Sequence, residues 1–169
     1  MREEKVLIDA TICFLVKDGK ILLAEKADKI GKGCWNGYGG GIENGETPEQ
    51  SAVRELEEEA GVIADRGSME KVAIVDFHNT KSDGKSFVCR CHVYLIKKWS
   101  GEPRETIEML RPTWFDVNSL PFEKMMPADK IWLPRILAGE KITAEAHYSP
   151  FQQELLGEVV VEEMEKLLM

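Results

Sequence analysis

Three carboxylates, Glu55, Glu58 and Glu59, stand at i, i+3 and i+4 within the segment Gly40 to Val62. On a helix that spacing places all three on one narrow face. Like charges so arranged repel, and nothing in helix propensity offsets the repulsion. A hard divalent cation would remove it. Mg²⁺ takes oxygen ligands, keeps several waters and usually bridges carboxylates to substrate phosphates, and Mn²⁺ accepts the same donors. A solvated acidic face is the ordinary meaning of a glutamate run, so the three residues alone leave both readings open.

The surrounding residues define the element that carries them. Thr47 can cap a helix, Pro48 suits its first position, and Gln50 completes a Thr-x-x-Gln capping box. Gly61 supplies a left-handed stop, so the helix runs over about thirteen residues. Ala52, Val53, Leu56 and Ala60 form its apolar stripe, ready to pack on a sheet. The residues before it, Gly40 to Gly45, read as a glycine-rich turn.

Gly40, Glu46, Arg54-Glu55-Leu56, Glu58-Glu59 and Gly61-Val62 match nine fixed positions across a 23-residue window. By that match the chain resembles the Nudix hydrolases, of the MutT type. The resemblance implies cleavage of a nucleoside diphosphate linked to another group, with Mg²⁺ held by Glu55, Glu58 and Glu59 and by the Gly39 carbonyl. It implies that Arg54 and Glu46 brace the turn against the helix. The general base comes from different places within the family. Glu108 precedes Met109-Leu110-Arg111-Pro112-Thr113-Trp114, which resembles the Glu-Met-Arg-Pro-x-Trp segment of one branch with one residue added. Glu108 is the candidate base or further metal carboxylate, and Glu105 is the fallback.

The chain of 169 residues fits one domain, 1–169, with a sizeable core. Strand signals outnumber helices: Val6 to Val16, Ile21 to Ala24, Glu70 to His78, Ser86 to Lys97, Thr113 to Val117, Ile142 to Ala146 and Glu158 to Val161. A second helix is expected at Ala128 to Leu137, bent or begun by Pro134, and a helical tail at Glu162 to Met169. Ser100 to Leu110 reads as a polar loop. Short links between the strands predict an α+β domain with a mixed sheet, which the resemblance sharpens to the Nudix α/β/α sandwich with the box helix packed on the sheet. In the strand at Ser86, alternation puts Cys89, Cys91, Val93 and Leu95 on one side and Val88, Arg90, His92 and Tyr94 on the other.

Composition bounds the partners. A net charge of −8 argues against a nucleic-acid polymer, but a metal-bound nucleotide remains compatible. No run approaches the roughly 18 apolar residues of a membrane helix, and no apolar run follows Met1 to Lys5, which predicts a cytoplasmic chain. Four cysteines make no disulfide framework at this length, and Cys89-Arg90-Cys91 lacks the second pair a zinc site needs. Lys26, Lys29 and Lys32 lie in a basic loop that could meet phosphate. The sequence leaves the oligomeric state open.

Substrate choice falls outside the box. Trp35 to Gly40, Arg111 to Phe115 and Met125 to Trp132 resemble the mammalian enzymes that hydrolyse oxidised purine nucleoside triphosphates, such as 8-oxo-dGTP and 2-hydroxy-dATP, to the monophosphate and pyrophosphate. Carried over by position, Asn36, Met126 and Asp129 are the candidate base contacts. Met126 stands where that branch has a stacking tryptophan, and Ala128 where it has a first aspartate. Methionine packs on a purine less rigidly than an indole, and a lost buried carboxylate removes about 1–3 kcal/mol of hydrogen bonding. The expected activity is therefore a Mg²⁺-dependent nucleoside triphosphate pyrophosphohydrolase that sanitises the nucleotide pool. The rivals are a Nudix hydrolase of ADP-ribose or a nucleotide sugar, and a nucleotide-binding regulator without catalysis.

Overall fold

The computed structural model describes residues 6–28, 31–81 and 83–164. In chain order these are β1 (Val6–Lys17), β2 (Lys20–Lys26), β3 (Trp35–Asn36), β4 (Tyr38–Gly41), α1 (Pro48–Ala60), β5 (Ile63–Ala64), β6 (Met69–Thr80), β7 (Ser86–Ile96), β8 (Trp99–Ser100), β9 (Met109–Asp116), α2 (Asp129–Leu137), β10 (Ile142–Tyr148) and β11 (Val160–Glu163). The main sheet runs β11-β10-β6-β7-β1-β2-β3, with β4 added to β1 and β9 to β2, and β5 pairs β8 apart from it. The β1–β7 and β6–β10 pairs are parallel and the others antiparallel, so the sheet is mixed.

One edge of β1 is shared. Ala10 to Cys13 pair with β4, and Val16 to Lys17 pair with β2. Both faces are buried from Cys13 to Leu15 in β1 and from Ile21 to Ala24 in β2, as their apolar runs require. Cys13, Leu15, Leu22 and Ala24 face α1, while Phe14, Ile21 and Leu23 join the core beneath α2. The same alternation sends Tyr94 and Ile96 to the α1 side and Val93 and Leu95 to the α2 side. A helix on each face of the sheet makes the expected α/β/α sandwich.

The α1 ends are those read from the sequence. The Thr47 hydroxyl accepts from the Gln50 amide, the Gln50 side chain accepts from the Thr47 amide, and Gly61 closes the helix at φ 73°. Ala52, Leu56 and Ala60 are fully buried, and Leu56 alone contributes about 1.5–3 kcal/mol by leaving water. In α2, Pro134 lies past the first turn of a nine-residue helix rather than within it.

Three expectations needed correction. The glycine-rich stretch starts as strand: Tyr38 to Gly41 pair with Cys13 to Ala10, because residues without side chains can lie against both β1 and α1, and the turn is confined to Asn44 and Gly45. The strand expected from Thr113 begins at Met109. Pro112 hides it in the sequence, but β9 carries a bulge there, stepping from Leu110 to Thr113 while β2 steps from Glu25 to Leu23. Arg111 takes φ 51° in that bulge, which absorbs an additional residue without shifting the strand beyond it. Finally, the tail expected to be helical from Glu162 starts as strand, since Glu162 and Glu163 pair with Thr143 and Ile142. Residues 165–169, like Lys29, lie outside the described residues.

Candidate active site

Arg54, Glu55, Glu58 and Glu59 leave α1 in different directions although they share its face. Glu59 is 6% exposed and accepts the Gly39 amide of β4 at 2.9 Å. Burial lifts its carboxyl well above the usual range; the Gly39 amide opposes this, while a hydrogen bond with Glu108 and the charges of Glu55 and Glu108 add to it. Glu55 is also raised, by burial first, with Arg54 pulling it back. Glu58 points outward and is exposed.

Arg54 organises the entry to the helix. Its Nε and Nη2 donate to Glu46 at 2.6 and 3.0 Å, its Nη2 reaches the Gly41 carbonyl at 3.2 Å, and its Nη1 meets Glu55 at 3.0 Å and Glu58 at 3.3 Å. Glu46 in turn accepts the Glu43 amide. The Arg54 hydrogen bonds hold the Glu46 carboxyl down to about 2, so this brace persists until strongly acid pH. Gly40 permits the arrangement, because a Cβ there would sit 2.6 Å from the Glu55 carboxylate.

Glu108, the candidate base, does reach the box: it touches Glu59. The bulge at Arg111 keeps it in place despite the added residue. Glu105, the fallback, is occupied elsewhere, accepting the Arg111 amide at 2.8 Å. Thr106 ties this loop to the helix end by donating to the Glu59 carbonyl at 2.9 Å.

Among the described residues, no three His, Cys, Asp or Glu side chains are gathered as a ready metal cluster. The geometry says why: Arg54 draws Glu55 and Glu58 to itself, while Glu59 turns inward to Gly39. The donors nevertheless fit a hard cation. All are oxygens, and Glu59 is buried beside two more carboxylates while the ion pairs of Arg54 go to Glu43, Glu46, Glu55 and Glu58. Buried acidic oxygens short of positive charge are what Mg²⁺ neutralises.

A cavity of about 650 Å³ adjoins the box, lined by Glu59, Gly39 and Gly40 and also by Asn36, Met126 and Asp129. The structure thus brings the box and the three candidate base contacts to one space. The chain matches the NUDIX domain family over residues 6–136. It belongs to the Nudix family. This Nudix hydrolase is 35% identical over 158 residues to the oxidized purine nucleoside triphosphate hydrolase of Danio rerio, covering 93% of this chain and 96% of that one. The Mus musculus protein of the same name is 34% identical, covering 78% and 80%. Among solved structures, a MutT protein from Bacillus halodurans superposes with a TM-score of 0.73 at 22% identity, covering 92% and 97%, which shows the common fold. A MutT NUDIX hydrolase from Burkholderia pseudomallei gives a TM-score of 0.63 at 28% identity, covering 80% and 98%.

Within the Nudix cavity, Asn36 has its carbonyl oxygen engaged by the Gly37 amide at 2.8 Å, leaving its NH₂ as the donor. Met126 is half-buried and lies near Gly31. Asp129 is buried at 4% exposure. Burial pushes its carboxyl up to about 7, the Met126 amide pulls the other way, and the Trp132 indole N–H faces it without closing a full hydrogen bond. Lys26 also borders the cavity, whereas Lys32 is exposed outside it. Sequence reading missed the apolar wall, Phe77, Phe87 and Tyr148, in which Phe77 and Tyr148 stack at 5.9 Å. The signal was present as alternation: Ala73, Val75 and Phe77 in β6 and Ala144, Ala146 and Tyr148 in β10 share the α2 side.

The raised Asp129 carboxyl sets a pH-dependent cost. In the unfolded chain it ionises near pH 4, whereas in the folded chain it keeps its proton to about 7. The stability it contributes is complete below the unfolded value and is lost as pH rises through the folded one. Asp129→Asn removes the cost. Its melting temperature relative to the native chain should therefore climb by several degrees between about pH 4 and pH 7 and then level off. A pH-independent difference in thermal melts would contradict this.

Proposed function

We propose that this Nudix hydrolase is a Mg²⁺-dependent nucleoside triphosphate pyrophosphohydrolase acting on oxidised purine nucleotides such as 8-oxo-dGTP, releasing the monophosphate and pyrophosphate. The observation that carries the reading is the shared cavity: Glu59 and Gly39 of the box line the same 650 Å³ as Asn36, Met126 and Asp129. That volume lies in the range of small-molecule sites. The similarity to oxidised purine nucleoside triphosphate hydrolases supports the choice of base.

Glu55, Glu58, Glu59 and the Gly39 carbonyl are assigned to hold Mg²⁺, or Mn²⁺ in its place; when bound, the metal neutralises phosphate charge and acidifies a water. Glu108, touching Glu59, takes up the proton of the attacking water. Arg54 and Glu46 keep β4 and α1 in register and touch no substrate. Asn36 donates to the base edge, Met126 packs on its face, and Asp129, poised near neutrality, donates when protonated and accepts when ionised. Among the described residues no helix is long and apolar enough to cross a membrane, and cytoplasmic sanitation of the nucleotide pool completes the proposal.

The test is a kcat/KM panel with Mg²⁺ over dGTP, dATP, 8-oxo-dGTP, 2-hydroxy-dATP, ADP-ribose and a nucleotide sugar. The oxidised triphosphates should lead their unmodified parents by about tenfold or more, since hydrogen-bonding pockets discriminate strongly. A lead by ADP-ribose or the sugar would overturn the substrate assignment. Binding without turnover at millimolar Mg²⁺ would overturn catalysis itself.

A further inference from the structure

A second cavity, of about 700 Å³, shares no lining residue with the first. Lys17, Lys97 and Lys98 line it together with Trp99 and Trp114. The fold concentrates these groups. β1 and β7 run parallel with Leu15 beside Ile96, so Lys17, which ends β1, and Lys97 and Lys98, which follow β7, lie at the same end of the sheet. All three are exposed, and no described ion pair involves them, in a chain whose net charge is −8. Trp99 and Trp114 stack at 5.9 Å and 23°. Trp114 remains 36% exposed, one of few large apolar side chains so presented.

Three ammonium groups beside an open indole face suit a ligand that is both anionic and aromatic. Glu102, also in the lining, disfavours an inorganic anion alone and can accept from an amino or hydroxyl group. We propose that this cavity is a second binding site, for a nucleoside phosphate, distinct from the catalytic cavity. The base stacks on the outer face of Trp114, since the inner face is taken by Trp99. The phosphates meet Lys17, Lys97 and Lys98. The wall formed by Trp99 to Pro103 continues through Arg104, whose amide donates to Ala60 at 2.9 Å, to Glu108 at the box. The site therefore adjoins the loop that carries Glu108.

Calorimetric titration with dGMP tests this, read alongside tryptophan fluorescence. Two classes of site are expected in the native chain if the catalytic cavity also takes the monophosphate, and one if it does not. In either case one class should disappear in Lys97→Glu/Lys98→Glu, weaken about tenfold in Trp114→Ala, and persist in Asp129→Ala. Deoxyguanosine and pyrophosphate, each offering half of the recognition, should bind that class at least about tenfold more weakly. Because both lysines are exposed, their double variant should fold normally, with kcat/KM at low substrate unchanged. Coincident isotherms for the native chain and the lysine variant would overturn the proposal. So would pyrophosphate binding as well as dGMP. Neither result bears on the catalytic reading, which the substrate panel decides.

Discussion

Glu58→Gln is expected to lower kcat by about 10³-fold, roughly 4 kcal/mol of lost transition-state stabilisation, while the melting temperature stays within about 2 °C of the native value. The two halves of this expectation have separate physical grounds. Glu58 is the box carboxylate least committed to the fold: its side chain is 53% exposed, and its described partner is Arg54 at 3.3 Å in an i, i+4 pair. Such pairs contribute about 0.3–0.5 kcal/mol. The amide keeps the size and loses the charge, so the proposed metal site would lose a ligand while α1 loses almost nothing. Glu59→Gln would be a poorer probe, because Glu59 is buried against Gly39 and touches Glu108. Steady-state kinetics with saturating Mg²⁺, beside a thermal melt, measures both quantities. Turnover at the native rate would remove Glu58 from the metal set.

Much of this site was legible because its signals are local. Thr47, Pro48, Gln50 and Gly61 fix both ends of α1 within the segment itself, and i, i+3, i+4 spacing fixes its faces. What spacing could not reveal was the fate of each carboxylate. Glu55, Glu58 and Glu59 look equivalent on a helical projection. Their fates differ because Glu59 turns in to the Gly39 amide of β4, while Arg54 draws Glu55 and Glu58 to itself. The cavity was harder still. Asn36, Met126 and Asp129 were found by resemblance, whereas Phe77, Phe87 and Tyr148 meet there only through the β6–β7 and β6–β10 pairings, which join distant stretches. Pro112 is the opposite case: proline disfavours a strand interior, and here a bulge admits it. Gly40 reads as part of a turn because glycine favours turns, although at Gly39 and Gly40 the value of glycine is the absent side chain.

That last point leads to the largest expected effect on the fold. Gly39→Ala should destabilise the chain by about 3 kcal/mol or more, a drop of roughly 10 °C in melting temperature, and abolish most activity with it. Gly39 has no need of glycine's conformational range, since it is absent from the positive-φ residues. Its constraint is steric: a Cβ at this position would lie 1.8 Å from the Thr11 carbonyl oxygen, which is backbone of β1. β1 cannot yield, being paired with β7 from Val6 to Leu15, so β4 must move. Movement of β4 breaks the hydrogen bond that the Gly39 N–H donates to Glu59 and leaves a buried carboxyl without its donor. Stability and catalysis then fail from one cause. Gly41→Ala supplies the control two residues away on the same strand, because a Cβ there meets nothing within 4 Å. It should melt within about 2 °C of the native chain. If the two alanine variants melted alike, close packing of β4 between β1 and α1 would not be what positions Glu59.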